Sequence, residues 1–112
     1  MARVALTVQT VTRTGVEPSY AAANADGNSW NNTGREVLHV KNGATDVVVT
    51  VQTPRTIDGQ AVTARTVNVP ATEERMIGPF PPEIFNQGGA LGDVVHVDYD
   101  DESNVTVGVF RI

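Results

Sequence analysis

The sequence predicts an all-β protein: a single antiparallel β-sandwich of about seven or eight short strands, with a jelly-roll or Ig-like topology. Nineteen valines and thirteen threonines make up 32 of the 112 residues, whereas leucine occurs only three times. Side chains that branch at Cβ are stiff at χ1 and pack well on a pleated surface, so this composition favours strands over helices. In addition, short runs of alternating apolar and polar residues are separated by turn residues, which is the pattern of a sandwich.

The composition limits the class of protein further. The length suits one domain. An apolar fraction of 40% with 19% charged residues is typical of a globular chain. The absence of cysteine excludes disulfides, thiolate nucleophiles and cysteine-ligated zinc. No run approaches the ~18 apolar residues of a membrane helix, and no signal-peptide pattern opens the chain. We therefore expect a soluble, intracellular or virion-borne protein with no membrane partner.

The charges are unevenly distributed along the chain. The net charge is −5, and residues 57–112 contribute −6 while residues 1–56 contribute +1. Only one of the eight basic residues is a lysine, Lys41, and the basic residues form no cluster. Proteins that bind nucleic acid neutralise phosphates with clustered basic side chains. The sequence therefore predicts no nucleic-acid partner, and the acidity is interpreted as a source of solubility.

The first third of the chain predicts one strand and one long loop. Val4, Leu6 and Val8 alternate as in a half-buried strand, so residues 1–14 are predicted to form an N-terminal strand or arm. Residues 15–34 have no periodicity and are rich in Asn, Gly and Ser, which predicts a long loop attached to a sandwich body of residues 15–112.

The rest of the chain alternates short strands with turns. Asn42-Gly43 and Asp58-Gly59 are turn signals, and Pro54 and Pro70 end the strands that precede them. The proline-rich stretch Gly78–Pro82 is predicted to cross the surface in an extended form, and residues 83–86 to make one helical turn. The predicted strands cover residues 36–41, 46–53, 65–69, 75–77, 93–99 and 105–112.

One acidic cluster resembles a cation site only in part. Asp98, Asp100 and Glu102 have the spacing of the first three ligands of an EF-hand. However, Ser103 occupies the position of the sharp-turn glycine, and Val109 occupies that of the closing glutamate. We therefore interpret the cluster as a solvated acidic turn and predict no bound metal.

No catalytic constellation is evident in the sequence. His39 and His96 each lie in a predicted strand with no second histidine at metal-ligand spacing. The three serines do not lie in a nucleophile elbow, and Gly88–Gly92 lacks the lysine of a phosphate-binding loop. We predict a non-enzymatic protein with no catalytic residues and no cofactor.

Two aromatic features are candidate contact surfaces. Trp30 is surrounded by asparagines, which suits either a sugar-stacking loop or a cap on one end of the core. Phe80 and Phe85 lie on or beside the stiff proline-rich crossing, which loses little entropy on binding a partner. The alternative for these two residues is packing across an open end of the sandwich.

The stretch from Pro18 to Phe85, about three-fifths of the chain, resembles the small head decoration (cement) and auxiliary structural proteins of tailed bacteriophages. The residues that carry the resemblance are Pro18-Ser19-Tyr20-Ala21-Ala22-Ala23, Asn32-Thr33-Gly34-Arg35, Val37-Leu38-His39-Val40-Lys41-Asn42-Gly43, Thr66-Val67-Asn68-Val69-Pro70-Ala71 and Ile77-Gly78-Pro79-Phe80-Pro81-Pro82.

The resemblance implies a virion protein on the capsid surface, made in the bacterial cytoplasm. Its partners would be the major capsid protein and further copies of itself, with a trimer favoured by analogy. We expect the N-terminal segment and the 15–34 loop to supply capsid contacts. The candidate contact residues are Arg3, Thr7, Tyr20, Trp30, Phe80 and Phe85.

Two other functions remain open at this stage. A carbohydrate-binding or adhesion module would bind a glycan and requires an exposed Trp30. A head–tail connector or tail component would form a closed ring larger than a trimer.

Overall fold

The computed structural model describes residues 3–112 as two five-stranded sheets packed face to face, with a separate two-stranded hairpin. The prediction of a mostly β, sandwich-like protein is confirmed. The strands are β1 (Val4–Ala5), β2 (Val8–Thr10), β3 (Ala21–Ala22), β4 (Asn28–Asn31), β5 (Glu36–Asn42), β6 (Val47–Val51), β7 (Thr56–Ile57), β8 (Gln60–Ala61), β9 (Arg65–Val69), β10 (Glu74–Ile77), β11 (Val94–Tyr99) and β12 (Val105–Arg111). One helical turn, α1, spans Pro82–Phe85, and a 3-10 turn spans Gly89–Leu91.

The strand order defines two sheets. Sheet A has the order β1-β4-β11-β6-β9, and sheet B has the order β10-β5-β12-β2. Strand β3 also belongs to sheet B, because it pairs with β12 on the same side as β2. The hairpin β7–β8 lies outside both sheets, and all four of its strand residues are exposed. Two of the outermost strands, β9 and β10, follow each other in the chain and end different sheets.

The core lies between the sheets and consists mainly of valine. Alternating residues of β6, β11 and β12 are predicted to point inward, and this prediction is confirmed by their burial. Each valine side chain that leaves water contributes roughly 1.5–3 kcal/mol, so these strands supply much of the driving force for folding. The buried valines of these three strands are Val47, Val49, Val51, Val95, Val97, Val105, Val107 and Val109.

The prediction of a purely antiparallel sandwich is wrong for two pairs of strands. Strand β1 runs parallel to β4, and β2 runs parallel to β12. Both parallel pairs involve the N-terminal segment, which crosses from sheet A to sheet B between Ala5 and Val8. Alternation in the sequence predicts which side chains share a face, but not which strand lies alongside, so it could not reveal these pairs.

This crossing also corrects the prediction of one continuous N-terminal strand. Val4 lies in β1 and is 45% exposed, whereas Leu6 and Val8 are half-buried and pack against the core. The three residues therefore do not share one face of one strand. Instead, the segment adds a short outer strand to each sheet.

The predicted 15–34 loop contains two strands. Strand β3 lies along β12, and β4 lies inside sheet A between β1 and β11. Strand β4 has the sequence Asn28-Ser29-Trp30-Asn31, whose amide and hydroxyl residues are not typical strand formers. Residues 15–19 of this segment are an exposed surface loop, which continues from the exposed residues 11–14 before them.

The turns and the proline-rich crossing follow the sequence signals. Asp58 and Gly59 both adopt positive φ, at 55° and 76°, as the tight turn between β7 and β8 requires. The crossing from Gly78 to Pro81 contains no strand, and α1 begins one residue earlier than the predicted helical turn. Proline is favoured in the first turn of a helix because its missing N–H would have no partner there.

Candidate interaction surfaces

A groove lies beneath the N-terminal segment where it crosses between the sheets. It has a volume of about 390 Å³ and is lined mostly by apolar atoms. One wall is the chain around Thr7, the opposite wall is the chain around Tyr20, and the floor is β12 at Val107 and Gly108. The groove therefore brings together two of the residues that the sequence analysis proposed as partner contacts, although they are thirteen positions apart.

Two side-chain contacts fix the shape of this groove. The Gln9 amide donates to the Ser19 carbonyl at 2.7 Å and accepts the Ser19 N–H at 2.8 Å, so it bridges the gap as a strand would. Gly108 has no side chain where the Tyr20 ring lies. A Cβ on Gly108 would lie 3.0 Å from the Ser19 carbonyl and 3.1 Å from the ring carbon Cδ2 of Tyr20, so a side chain there would require this part of the loop to shift slightly.

Arg3 anchors the N-terminal segment to β11, the central strand of sheet A. Its guanidinium Nη1 donates to the Asp98 carboxylate at 2.8 Å and to the Val97 carbonyl at 2.9 Å. A Cβ on Gly27 would lie 2.2 Å from this nitrogen, so the absence of a side chain there makes room for the guanidinium. Arg3 is thus engaged within the chain, and what it offers to a partner is limited to its remaining N–H groups.

Tyr20 and His39 connect the exposed loop to the outer face of sheet B. The Glu74 carboxylate can only accept a hydrogen bond, so the His39 Nε2–H donates to it at 2.6 Å. In neutral histidine Nδ1 is then an acceptor, and the Tyr20 hydroxyl donates to it at 2.7 Å. Burial, with a smaller contribution from the charge of Glu74, raises the pKa of Tyr20 and keeps this phenol protonated.

Aromatic and cationic packing supports the same connection. The Tyr20 ring meets His39 and Phe110 edge-on, with centroids 5.3 and 5.8 Å apart. The Lys41 ammonium lies 4.6 Å from the centroid of the Tyr20 ring, within the range of a cation–π contact.

Trp30 is part of the core and is only 1% exposed. It packs on Phe80 with ring centroids 5.6 Å apart, and Phe80 itself is 2% exposed. Neither ring offers a face to a partner in this structure. The sequence left open whether Trp30 and Phe80 form contact surfaces or pack within the protein, and in the structure both rings pack within it.

The proline-rich crossing borders a second hollow of about 360 Å³. Its lining includes the half-buried ring of Phe85, which meets Phe80 edge-on at 5.0 Å, and Arg65 from β9. Two buried amides support the crossing from below, because Asn32 donates to the Phe80 carbonyl at 2.9 Å and to Asn86 Oδ1 at 2.8 Å. The crossing is thus held rigidly, and of its two predicted contact residues only Phe85 is partly accessible.

Glu36 is a buried carboxylate that the sequence analysis did not single out. Burial by itself raises the pKa of this carboxyl, but hydrogen bonds from Thr33, Arg111 and Arg35 outweigh it and lower the pKa to about 2. The Thr33 N–H lies 2.6 Å from Oε1. A signal was available in the sequence, since Glu36 alternates in register with Leu38 and Val40 and so had to point inward.

The acidic side chains at the end of β11 and just after it are engaged individually. Asp98 binds Arg3 and Gln52, Asp100 accepts the Val48 N–H at 2.8 Å, and Asp101 accepts the Ser103 N–H at 3.0 Å. Hydrogen bonds from the backbone and the side chain of Ser103, together with one from the Thr45 side chain, lower the pKa of Asp101. Within the described part of the chain, no three His, Asp or Glu side chains come together as a metal-binding group.

Comparison with known proteins gives no relative from which a role could be taken over. No family model matches the chain, and neither a curated protein nor a solved structure matches it. Among residues 3–112, no helix has the length and apolar character needed to cross a bilayer.

Proposed function

We propose that this protein is a non-enzymatic structural protein of a tailed-phage virion, which decorates the assembled capsid and stabilises it by binding across neighbouring subunits. The observation that carries the proposal is the exposed loop of residues 11–19, which is tied down at both of its ends. At its start the Val11 N–H donates to the Arg111 carbonyl at 2.9 Å, and at its end Tyr20 is bound to His39.

A loop held in this way suits binding to a large rigid surface. Its residues are all exposed, and they include Val11 and Val16, which are 48% and 38% exposed. Because both ends are fixed, the loop loses less conformational entropy on binding than a free tail would. The adjacent groove, with Thr7 on its rim, adds an apolar recess into which a capsid side chain would fit.

The stabilising effect follows from linkage. A ligand that binds the assembled shell but not free subunits stabilises the shell, by an amount that grows with the logarithm of the ligand concentration relative to its Kd. Contact with two subunits at once raises the effective concentration of the second contact, so each contact can be weak. In this proposal the partner is the major capsid protein. On the shell it forms a homo-oligomer, with a trimer at the capsid three-fold positions favoured by the resemblance to decoration proteins.

Removing residues 1–14 would be a poor test of this proposal. That deletion takes away β1 and β2, which are outer strands of both sheets, so loss of capsid binding could follow from misfolding alone. A better variant is Val16→Asp, which changes only the exposed loop. The matched control is Ile57→Asp, which places the same charge on an exposed apolar residue of the β7–β8 hairpin.

The experiment is co-sedimentation of the purified protein with undecorated cognate capsids. The wild type and Ile57→Asp should saturate the shells at a fixed ratio to the capsid protein, and Val16→Asp should bind more weakly. Failure of the wild type to bind would refute capsid decoration. Equal binding by all three proteins would leave decoration standing and refute the role of the loop.

The carbohydrate-binding alternative required an exposed Trp30, and that ring is buried. We therefore do not propose it. The connector or tail-component alternative predicts a closed ring larger than a trimer, which a mass measurement in solution by light scattering would detect.

A further inference from the structure

Strand β9 leaves one edge of sheet A open. It pairs with β6 along its whole length, from Arg65 opposite Val51 to Val69 opposite Val47. On its other side, no strand of residues 3–112 lies alongside. An edge of five residues exposes enough unpaired backbone groups to bind another strand.

The hydrogen bonds of β6 show which backbone groups of β9 face outward. The Val48 carbonyl accepts the Asp100 N–H at 3.2 Å, and the Gln52 N–H donates to the His96 carbonyl at 3.0 Å, so the even-numbered residues of β6 face β11. Its odd-numbered residues must then face β9.

The consequence for β9 follows from its register with β6. Arg65, Val67 and Val69 are opposite the odd-numbered residues of β6, so their backbone groups turn towards β6. The N–H and C=O groups of Thr66 and Asn68 therefore point away from the sheet. Their side chains are exposed as well, on the outer face.

This edge lacks the features that usually prevent strands from pairing. Proteins protect open edges with prolines, bulges or charged residues. Strand β9 contains no proline, pairs with β6 in unbroken register, and has one charged residue, Arg65, at its beginning. Val67 is half-buried and packs against the core, so its remaining surface would be covered by a strand added at this edge.

The sequence of β9 is complementary to itself in an antiparallel arrangement. A two-fold axis perpendicular to the sheet leaves the outer faces of both copies on the same side of the joined sheet. Odd-numbered residues of β9 must then lie opposite odd-numbered residues of the other copy, and even-numbered residues opposite even-numbered ones. With Val67 on the axis, Thr66 of one copy lies opposite Asn68 of the other. Both pairs use outward-facing backbone groups and form about four hydrogen bonds. No like charges face each other, because Arg65 then lies opposite Val69.

The neighbouring open edge, β10, does not have this property. The Asn42 N–H donates to the Glu73 carbonyl at 2.9 Å, so by the same alternation Glu74 and Met76 direct their backbone groups outward. Pairing these two residues across a two-fold axis would place Arg75 directly opposite Arg75 of the second copy. Like charges directly opposite each other destabilise a strand pair.

We infer that two copies of this chain associate through β9, in antiparallel register about Val67, so that the two copies of sheet A become one continuous sheet. The partner at this surface is a second copy of the chain. The contact goes beyond capsid decoration and does not depend on it, because it would form in the isolated protein. It is a two-fold contact, and thus differs from the trimer contact that the resemblance implies.

The absence of cysteine makes cross-linking a clean test of the register. Val67→Cys places two thiols opposite each other in a non-hydrogen-bonded pair, where Cα atoms are ~4.5 Å apart and a disulfide can form. Asn68→Cys is the matched control, because residue 68 faces Thr66 of the other copy and not itself. A mixture of Thr66→Cys and Asn68→Cys should therefore link, whereas each alone should not.

The expected result under mild oxidation is a covalent dimer for Val67→Cys and for the mixture, and no covalent dimer for Asn68→Cys alone. Equal amounts of covalent dimer from Val67→Cys and Asn68→Cys would overturn the register. If neither Val67→Cys nor the mixture forms a covalent dimer, the contact itself is overturned.

A proline variant provides an independent measurement. In Asn68→Pro the lost N–H is one that faces outward, so the pairing of β9 with β6 is kept while the open edge is blocked. Asn68→Thr is the control that keeps the N–H. Light scattering at high protein concentration should give a dimer of the 11.9 kDa chain for the wild type and Asn68→Thr, and a monomer for Asn68→Pro. A wild-type monomer, or a dimer that survives in a folded Asn68→Pro protein, would overturn the inference.

Discussion

The Glu36 carboxylate is bound by the Arg111 guanidinium at the point where the first residue of β5 lies opposite the last residue of β12. Glu36 is fully buried, whereas the Arg111 side chain is partly exposed. The carboxylate also accepts the N–H groups of Thr33 and Arg35, so it organises the turn that leads into β5. One buried charge thereby ties the turn after β4 to the central pair of strands in sheet B.

Replacing this carboxylate should lower stability markedly. In Glu36→Gln the side chain keeps its shape but loses its charge and two of its acceptor positions, so we expect a loss of about 2 kcal/mol in the free energy of unfolding. Urea denaturation measures this loss. The control is Glu83→Gln, an exposed glutamate of α1 whose replacement should leave the midpoint unchanged. Equal midpoints for Glu36→Gln and the wild type would contradict the role given to Glu36.

The same group should make stability depend on pH in the acid range. The pKa of Glu36 is lowered from 4.5 to about 2 in the folded chain, so between these values the unfolded chain binds more protons than the folded one. The stabilisation is therefore complete above pH ~4.5 and is lost as the pH falls towards ~2. Denaturation midpoints measured from pH 6 to pH 2 should fall more steeply for the wild type than for Glu36→Gln. Parallel curves would show that another carboxyl causes the acid sensitivity.

Arg3 should influence the titration of His96. Burial lowers the pKa of His96, and the positive charge of Arg3 lowers it further against the opposing effect of Asp98. Arg3→Met removes that charge, so the pKa of His96 should rise while remaining subject to burial. Proton NMR of the histidine ring measures the change. Arg13→Met, in the exposed loop, is the control and should leave the pKa of His96 unchanged. A fall in the pKa of His96 in Arg3→Met would contradict this account.

The hydroxyl of Tyr20 should hold the end of the 11–19 loop. Tyr20→Phe keeps the ring packed on Phe110 but removes the hydrogen bond to His39, which we expect to cost about 1 kcal/mol. Trypsin should then cleave after Arg13 faster than in the wild type. The control is Tyr99→Phe, which removes a different tyrosine hydrogen bond, to Asn28, and should not change that cleavage. Unchanged cleavage in Tyr20→Phe would place the anchor of the loop elsewhere.

The single tryptophan should report the core and not a ligand. Because Trp30 is buried, its fluorescence should be blue-shifted and weakly quenched by acrylamide until the chain unfolds. Addition of glycans should leave the spectrum unchanged. Strong quenching in the folded protein would show that the ring is accessible and would revive the carbohydrate-binding alternative.

The sequence was most informative where side chains alternate strictly. Strands β6, β11 and β12 were predicted with their inward faces, because valines at every second position can be buried only on one side of a sheet. Strand β4 was missed because it is held by amides and not by β-branched residues. Asn28 donates to the Val4 carbonyl at 3.0 Å and accepts the Tyr99 hydroxyl at 2.8 Å, and both partners are distant in sequence.

The candidate contact residues illustrate the same limit. Thr7 and Tyr20 line one groove and Phe85 borders another, but Trp30 and Phe80 cover each other inside the core. Whether an aromatic ring is accessible depends on which distant segment covers it. That information lies in the tertiary arrangement, and composition or periodicity does not contain it.

The position of β12 has a consequence for the way the protein is made. It follows every other described strand in the chain, yet it lies between β5 on one side and β2 and β3 on the other. On the ribosome, sheet B therefore cannot be completed until residues up to Arg111 have emerged, because β12 is the strand that pairs with both β2 and β5. Pairing Val8 with Val109 also closes almost the whole chain into one loop. Such long-range topologies fold on a scale of roughly milliseconds to seconds. Until β12 is available, the inward-facing valines of sheet A lack the central part of the sheet that covers them, so they stay partly exposed while the chain is being made.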